Sequence, residues 1–179
     1  GGHYDTVSEV SGANDNGSGI AVLLTIARML EGIDLPFTLK IIPFGSEELG
    51  LLGSRFYVES LSEEELANTK AMLNFDALAT GSGVSVFGDG DITAMVSAIG
   101  SEIGVDVEAT RSRGGGSSDF ASFLEVGVPY MMFFGDDASR IHSERDTIEF
   151  VQPEMLGGAA VAAAALLKSK EFASLIGTR

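Results

Sequence analysis

Short, strongly apolar segments recur along this chain, and helix-length stretches lie between them. Phe37–Phe44 reads FTLKIIPF, Ala71–Phe75 reads AMLNF, Val84–Phe87 reads VSVF and Pro129–Phe134 reads PYMMFF. All are too brief for core helices and carry β-branched or aromatic residues, which marks them as strands. Val105–Ala109 is a further strand candidate. Between them, Ile20–Leu30 (IAVLLTIARML) is apolar nearly all round and reads as a buried helix. A helix starts within Gly53–Ser60, and LSEEELA, with its acidic run Glu63–Glu65, reads as a solvated helical piece. Asp91–Ile103 places Ile92, Met95, Val96, Ile99 and Ile103 on one helical face. Pro153–Leu175 reads as one long terminal helix opened by a proline at its first turn. Strands alternating with helices specify an α/β fold, with a largely parallel β-sheet sandwiched by helices. The opening Gly1-Gly2-His3-Tyr4-Asp5 reads as the end of a buried strand whose beginning is missing. An N-terminal part is therefore expected to be absent. The 179 residues suit a single domain with a substantial core.

An open α/β sheet gathers ligand-binding groups at the carboxyl ends of its strands. The chemistry-bearing side chains fall there. Glu47 and Glu48 follow the Phe37–Phe44 strand in the turn GSEELGLLGS. Adjacent side chains in a turn diverge, so one carboxylate can bind a metal while the other faces a water. That pairing of ligand and base is what metal-assisted hydrolysis needs. His3 and Asp5 form an H-x-D unit in which a carboxylate can accept the second imidazole N–H and fix the tautomer that binds metal. Asp76 stands just beyond Ala71–Phe75, and His142 lies in the loop after Pro129–Phe134. Asp15 sits in the polar loop SGANDNGSG, where Gly17 and Gly19 let backbone come close at the start of the next helix. Alone, each has a bland reading as a surface acid, a surface histidine or a cap. Together, two His and several carboxylates, with no Cys in the chain, suit zinc, manganese or cobalt. Spacing alone leaves open which of Glu47 and Glu48 is ligand and which is base. The glycine-rich RGGGSSDF (113–120) lacks the Walker lysine, so Asp119 is expected to cap the following helix or to support the site from behind.

With 26 acidic against 11 basic residues, the formal charge is −15. Such a surface repels nucleic acid and anionic membranes, and suits metal ions or a free amine. Polar residues interrupt every apolar run before membrane-spanning length, so no transmembrane helix is expected.

GGHYDT, GANDNGSG, SEELGLLGS, NFDAL, GGSSDF and IHSERDT, in this order from His3 to Thr147, resemble the co-catalytic dizinc aminopeptidases. That group includes secreted leucyl aminopeptidases, glutamate carboxypeptidase-like enzymes and glutaminyl cyclases. The resemblance implies a mixed β-sheet between helices, the zinc-exopeptidase, phosphorylase/hydrolase-like fold. It implies two zinc ions, for which manganese or cobalt can substitute. His3 and Asp76 would serve one ion, Glu48 and His142 the other, and Asp15 would bridge them. Glu47 would be the general base and Asp5 the carboxylate behind His3. A cis peptide between Asp15 and Asn16 would turn the bridging carboxylate toward both ions. The activity implied is hydrolysis of N-terminal residues from peptides through a water bridging the two ions, in a secreted or extracytoplasmic setting. A carboxypeptidase or a glutaminyl cyclase-like enzyme is the alternative, with Arg111, Arg113 and Arg140 available for a terminal carboxylate. A peptidase-like fragment or binding domain without catalysis is the other. The chain departs from the pattern in two places. Ile141 stands where members commonly carry a Tyr before the last His. The sheet strands that members carry ahead of the H-x-D unit are missing, which leaves an edge for self-association.

Overall fold

In a computed structural model, which describes residues 1–110 and 116–178, strands and helices are interspersed as expected, except that the third strand runs into the fourth with no helix between them. The strands are β1 (Gly2–His3), β2 (Pro43–Phe44), β3 (Met72–Phe75), β4 (Val84–Gly88), β5 (Val107–Ala109) and β6 (Tyr130–Gly135). The helices are α1 (Gly17–Met29), α2 (Leu52–Ser60), α3 (Glu63–Asn68), α4 (Gly90–Ile103), α5 (Phe120–Leu124), α6 (Pro153–Lys168) and α7 (Lys170–Gly177). One ladder runs β3-β6-β4-β5 and another pairs β1 with β2. β1 is parallel to β2, β3 to β6, and β4 to β5, whereas β4 runs antiparallel to β6. Backbone hydrogen bonds join the two ladders: Gly1 N–H donates to Leu73 O at 2.8 Å, and Phe75 N–H to Gly1 O at 2.9 Å. β2, β1, β3 and β6 therefore point the same way, and their carboxyl ends form one edge.

Side-chain alternation along the strands divides the core in two. On one face, Phe75, Val84, Val86, Met131 and Phe133 pack with α1, α4, α6 and α7. On the other, Phe44, Met72 and Met132 pack with Val58 of α2 and with Phe120 and Phe123 of α5. Phe133 is fully buried and stacks on Phe75, with ring centroids 4.7 Å apart. α6 buries Ala159, Ala160, Ala162, Ala163 and Ala164, whose small side chains let it lie against both α1 and α4. No helix among the described residues is long and apolar enough to cross a membrane.

The expected strand Phe37–Phe44 forms a ladder only at Pro43 and Phe44. Its parallel partner β1 offers two residues, so the hydrogen bonds stop there. The alternation survives nonetheless: Phe37, Leu39 and Ile41 pack on one core cluster, Ile42 and Phe44 on the other. The expected single helix Pro153–Leu175 breaks at Ser169, which is extended (φ −73°, ψ 140°). Its hydroxyl donates to Leu166 O at 2.8 Å and accepts the Phe172 N–H at 3.1 Å, ending α6 and capping α7 in one residue.

Candidate metal centre

Each of the four parallel strands delivers part of one cluster. β1 ends at His3. β2 leads into the turn of Glu47 and Glu48, closed by the Gly50 and Leu51 N–H groups donating to Glu47 O, both at 2.8 Å. Asp76 follows β3 and anchors its N–H on Phe133 O at 3.2 Å. The loop after β6 carries His142 with a left-handed backbone (φ 57°). Asp15 comes from the loop ahead of α1, and its peptide to Asn16 is cis, as the resemblance implies. That loop can sit so deep because Gly19 has no side chain. A Cβ there would lie 2.3 Å from Phe75 O.

All the groups meet at the same place. His3 Nε2 lies 3.2 Å from Asp15 Oδ1 and 3.4 Å from Asp76 Oδ1. His142 Nε2 lies 3.0 Å from Asp15 Oδ2 and 3.2 Å from Glu48 Oε2. Asp15 thus presents one oxygen to each imidazole. Two donor groups result, His3–Asp15–Asp76 and Asp15–Glu48–His142, and in each the ligand atoms lie within 4.8 Å of one another. His3, Glu47 and Glu48 meet the same limit, which puts Glu47 at the rim of the cluster. His3 and Asp15 are buried, while His142 remains exposed on its outer side.

Asp5 differs from its expected place. The group nearest His3 Nδ1 is the Asp5 backbone carbonyl at 3.0 Å; the carboxylate is at 3.6 Å, outside hydrogen-bond range. The carboxylate instead accepts the backbone N–H of Glu47 at 3.1 Å and of Glu48 at 3.3 Å. Two aligned N–H donors compete for it better than one imidazole edge. Asp119 also departs from the capping role: it makes no cap hydrogen bond to α5. It is fully buried, with neither carboxylate oxygen bonded among the described residues.

Electrostatics follow from crowding acids together. Burial works against a charge on His3, but the Asp15 and Asp76 carboxylates outweigh it and hold the imidazole up at about 11. Burial, with Asp76, Asp119 and Glu48 adding to it against His3, pushes the Glu47 carboxyl up to about 8. Glu48 is raised by burial and then by Asp15. Burial raises Asp119 to about 6. The cluster is a place that favours positive charge. Glu48 Oε1 is buried with no hydrogen-bond partner among the described residues. Two imidazole nitrogens and carboxylate oxygens, with no thiolate, are the donors of a borderline divalent cation, so the residues fit such an ion.

Sequence reasoning missed the frame behind the ligands. Asn14, Asn16 and Asp146 are all buried. Asn16 caps α1 by accepting the Gly19 N–H at 2.8 Å and donates to Phe75 O at 2.9 Å. Asn14 accepts the Ala79 N–H at 2.6 Å and donates to Thr80 Oγ1 at 3.0 Å. Asp146 accepts the N–H groups of Asn14 and Asp15. Polar residues in a polar loop carry no sign that they will be buried, and the sequence alone assigns no role to these three side chains.

A cleft of about 490 Å³ opens over the cluster. His3, Asp15, Glu47, Glu48, Asp76 and His142 form its polar floor, and Phe87, Met132, Phe134 and Ile141 form an apolar wall. Arg140 is engaged elsewhere, with Asp137 at 2.9 Å and over the Phe150 ring at 4.3 Å. Arg111 and Arg113 lie outside the described residues.

The family model for peptidase family M28 matches residues 1–167. Aminopeptidase YwaD of Bacillus subtilis is 36% identical over 168 residues, covering 86% of this chain and 36% of that protein. Leucine aminopeptidase 2 of Trichophyton equinum is 36% identical over 143 residues, 72% of this chain and 28% of that one. Among solved structures, BSAP, a zinc aminopeptidase from Bacillus subtilis, superposes with a TM-score of 0.81 at 34% identity, covering 94% of this chain and 46% of that chain. This chain spans less than half the length of each of these relatives.

Proposed function

The chain belongs to peptidase family M28, and from that premise we propose that its cleft is the site of a zinc-dependent exopeptidase removing residues from peptide N-termini. The observation that carries this reading is Asp15, whose two oxygens face two imidazoles at 3.2 and 3.0 Å. One shared carboxylate between two donor groups would suit a pair of divalent ions. His3 and Asp76 would hold one, Glu48 and His142 the other, and Asp15 both. When bound, zinc would supply Lewis acidity toward a peptide carbonyl and bring the pKa of water near neutrality.

The chain's own residues do the rest. Glu47 is the one carboxylate of the cluster left out of both ligand groups built around Asp15. It takes the proton of the attacking water and delivers it to the nitrogen of the leaving amine. Asp5 holds the Glu47–Glu48 turn still by its two N–H groups. The acidic floor favours a substrate's free ammonium group, and the wall of Phe87, Met132, Phe134 and Ile141 favours an apolar side chain beside it. The engagement of Arg140 by Asp137 and Phe150 weighs against a carboxypeptidase built on that residue.

The test is metal analysis together with turnover of matched substrates. The full-length protein should hold zinc and cleave aminoacyl anilides with Leu or Met side chains. Blocking the amine by acetylation should abolish cleavage. Release of C-terminal residues from N-acetylated peptides, with aminoacyl anilides untouched, would sink the reading.

A further inference from the structure

We infer that Asp146 is the positioning residue that sets the aim of Asp15 and couples it to His142, an inference that rests on the zinc reading above. Among the described residues, the Asp15 carboxylate meets only the two imidazoles. Its direction is therefore fixed from its backbone. Downstream, the Asn16 side chain pins the chain to Phe75 O. Upstream, Asp146 does so with both oxygens: Oδ1 accepts the Asn14 N–H at 2.7 Å and Oδ2 the Asp15 N–H at 2.9 Å. Asp146 is 2% exposed, so water does not compete for these bonds.

Asp146 also belongs to the loop that carries His142. Its N–H donates to Ser143 O at 3.0 Å, and the Ser143 hydroxyl donates to Arg140 O at 2.6 Å, which closes the turn around the histidine. One residue thus joins the two loops whose side chains meet at 3.0 Å, Asp15 Oδ2 and His142 Nε2: its carboxylate holds the Asp15 loop and its backbone N–H belongs to the His142 loop. The other donor group shares Asp15, but its remaining two members have separate anchors. His3 is held by the Asp5 carbonyl, and Asp76 by its N–H to Phe133 O. Loosening Asp146 should therefore disturb the two groups unequally. Both groups lose the aim of Asp15, and the group of Glu48 and His142 also loses the tie between the Asp15 and His142 loops, while His3 and Asp76 keep their own anchors.

Asp146→Asn is the test, because it puts an NH2 group, which cannot accept, in place of one of the two oxygens that each take an N–H. Zinc is the probe, titrated into the chelated full-length protein against a competing chelator. Both ions share Asp15, so both should bind more weakly, and the one at Glu48 and His142 by more, about 10–100-fold, the range for losing a group that orients a ligand. Turnover at limiting zinc should fall alongside and recover as zinc is raised, with KM little changed. A variant that melts earlier yet binds both ions as the wild type does would reduce Asp146 to a structural anchor and overturn the inference alone. A wild type that binds no zinc would overturn the reading of the site, and this inference with it. If the variant does not fold, hydrogen exchange in the metal-free wild type decides. The amides of Asn14 and Asp15 should be protected far beyond exposed loop amides, and exchange at loop rates would refute the clamp.

Discussion

The Asp5 carboxylate accepts the backbone N–H of Glu47 at 3.1 Å, so the acid two residues after His3 holds the turn of the base rather than the imidazole. The geometry separates two effects usually merged in an H-x-D unit. His3 is oriented by the Asp5 carbonyl, which no side-chain change removes. Asp5→Ala should therefore spare zinc affinity at the His3 group. It should release the Glu47–Glu48 turn and lower kcat by about 10–100-fold. Parallel zinc titration and steady-state kinetics check this. Loss of the His3-group ion with an unchanged turn would show that the 3.6 Å contact to Nδ1 matters more than the hydrogen bonds.

Gly19 supplies a second test, on the link between fold and site. An added Cβ would meet Phe75 O at 2.3 Å and Asn16 Oδ1 at 2.4 Å, neither of which can step aside. Gly19→Ala should destabilise the protein by about 1–3 kcal/mol, the usual cost of overpacking, even though alanine favours helices. Because Asn16 and Asp15 move with that turn, zinc affinity should fall as well. Denaturant unfolding with and without zinc measures both, and a variant as stable as the wild type would contradict the close approach.

How much of this was legible in the sequence depended on whether a residue's role was local. The period-two alternation of Met131, Met132, Phe133 and Phe134 is a local property, and it survives in the two-faced core. The strand ends that bear Glu47, Asp76 and His142 follow from the same alternation. Phe37–Phe44 shows the limit: the side chains alternate between the two core clusters, but a ladder needs a partner, and only Pro43 and Phe44 have one in β1. Ser169 shows another, since alanine-rich and leucine-rich stretches read continuously across a serine whose hydroxyl serves two helices at once. The Asp5, Asn14 and Asp146 contacts bridge residues 42, 65 and 132 positions apart, and no window of sequence displays them.

The raised carboxyl and imidazole groups make stability depend on pH in a definite direction. Folded Glu47 sits at about 8 against 4.5, His3 at about 11 against 6.5, and Asp119 at about 6 against 3.8. Each binds its proton more tightly in the folded state. Its contribution is complete below the ordinary value and is lost as pH rises through the folded one. Chelated protein should therefore melt at lower temperature at about pH 8 than at about pH 5. Zinc requires a neutral His3 and ionised carboxylates, so it displaces these protons, and the rise in Tm on adding zinc should grow over the same interval. Melting curves with chelator and with zinc at several pH values test the sign, and a chelated protein that gains stability toward pH 8 would contradict it.

Glu47 separates catalysis from metal binding. Its neighbour Glu48 places Oε2 3.2 Å from His142 Nε2, inside the Asp15 group, whereas Glu47 lies outside both Asp15 groups. Glu47→Gln keeps nearly the same size but cannot accept a proton at pH 7. Fold and zinc stoichiometry should persist, while kcat should fall by about 10²–10⁴-fold, the range for losing a general base. KM should change much less, because a base acts mainly in the transition state. Glu48→Gln should instead weaken one zinc, with added zinc restoring part of the activity. The pH profile adds a check that a structural role would not move. The limb of kcat/KM set by the free base should vanish in Glu47→Gln and persist in Glu48→Gln. If Glu47→Gln loses metal while Glu48→Gln keeps it and loses only rate, the two carboxylates are assigned the wrong way round. If neither changes turnover, the proton is carried by another group, and Asp119, buried with both oxygens unbonded among the described residues, is the next to substitute.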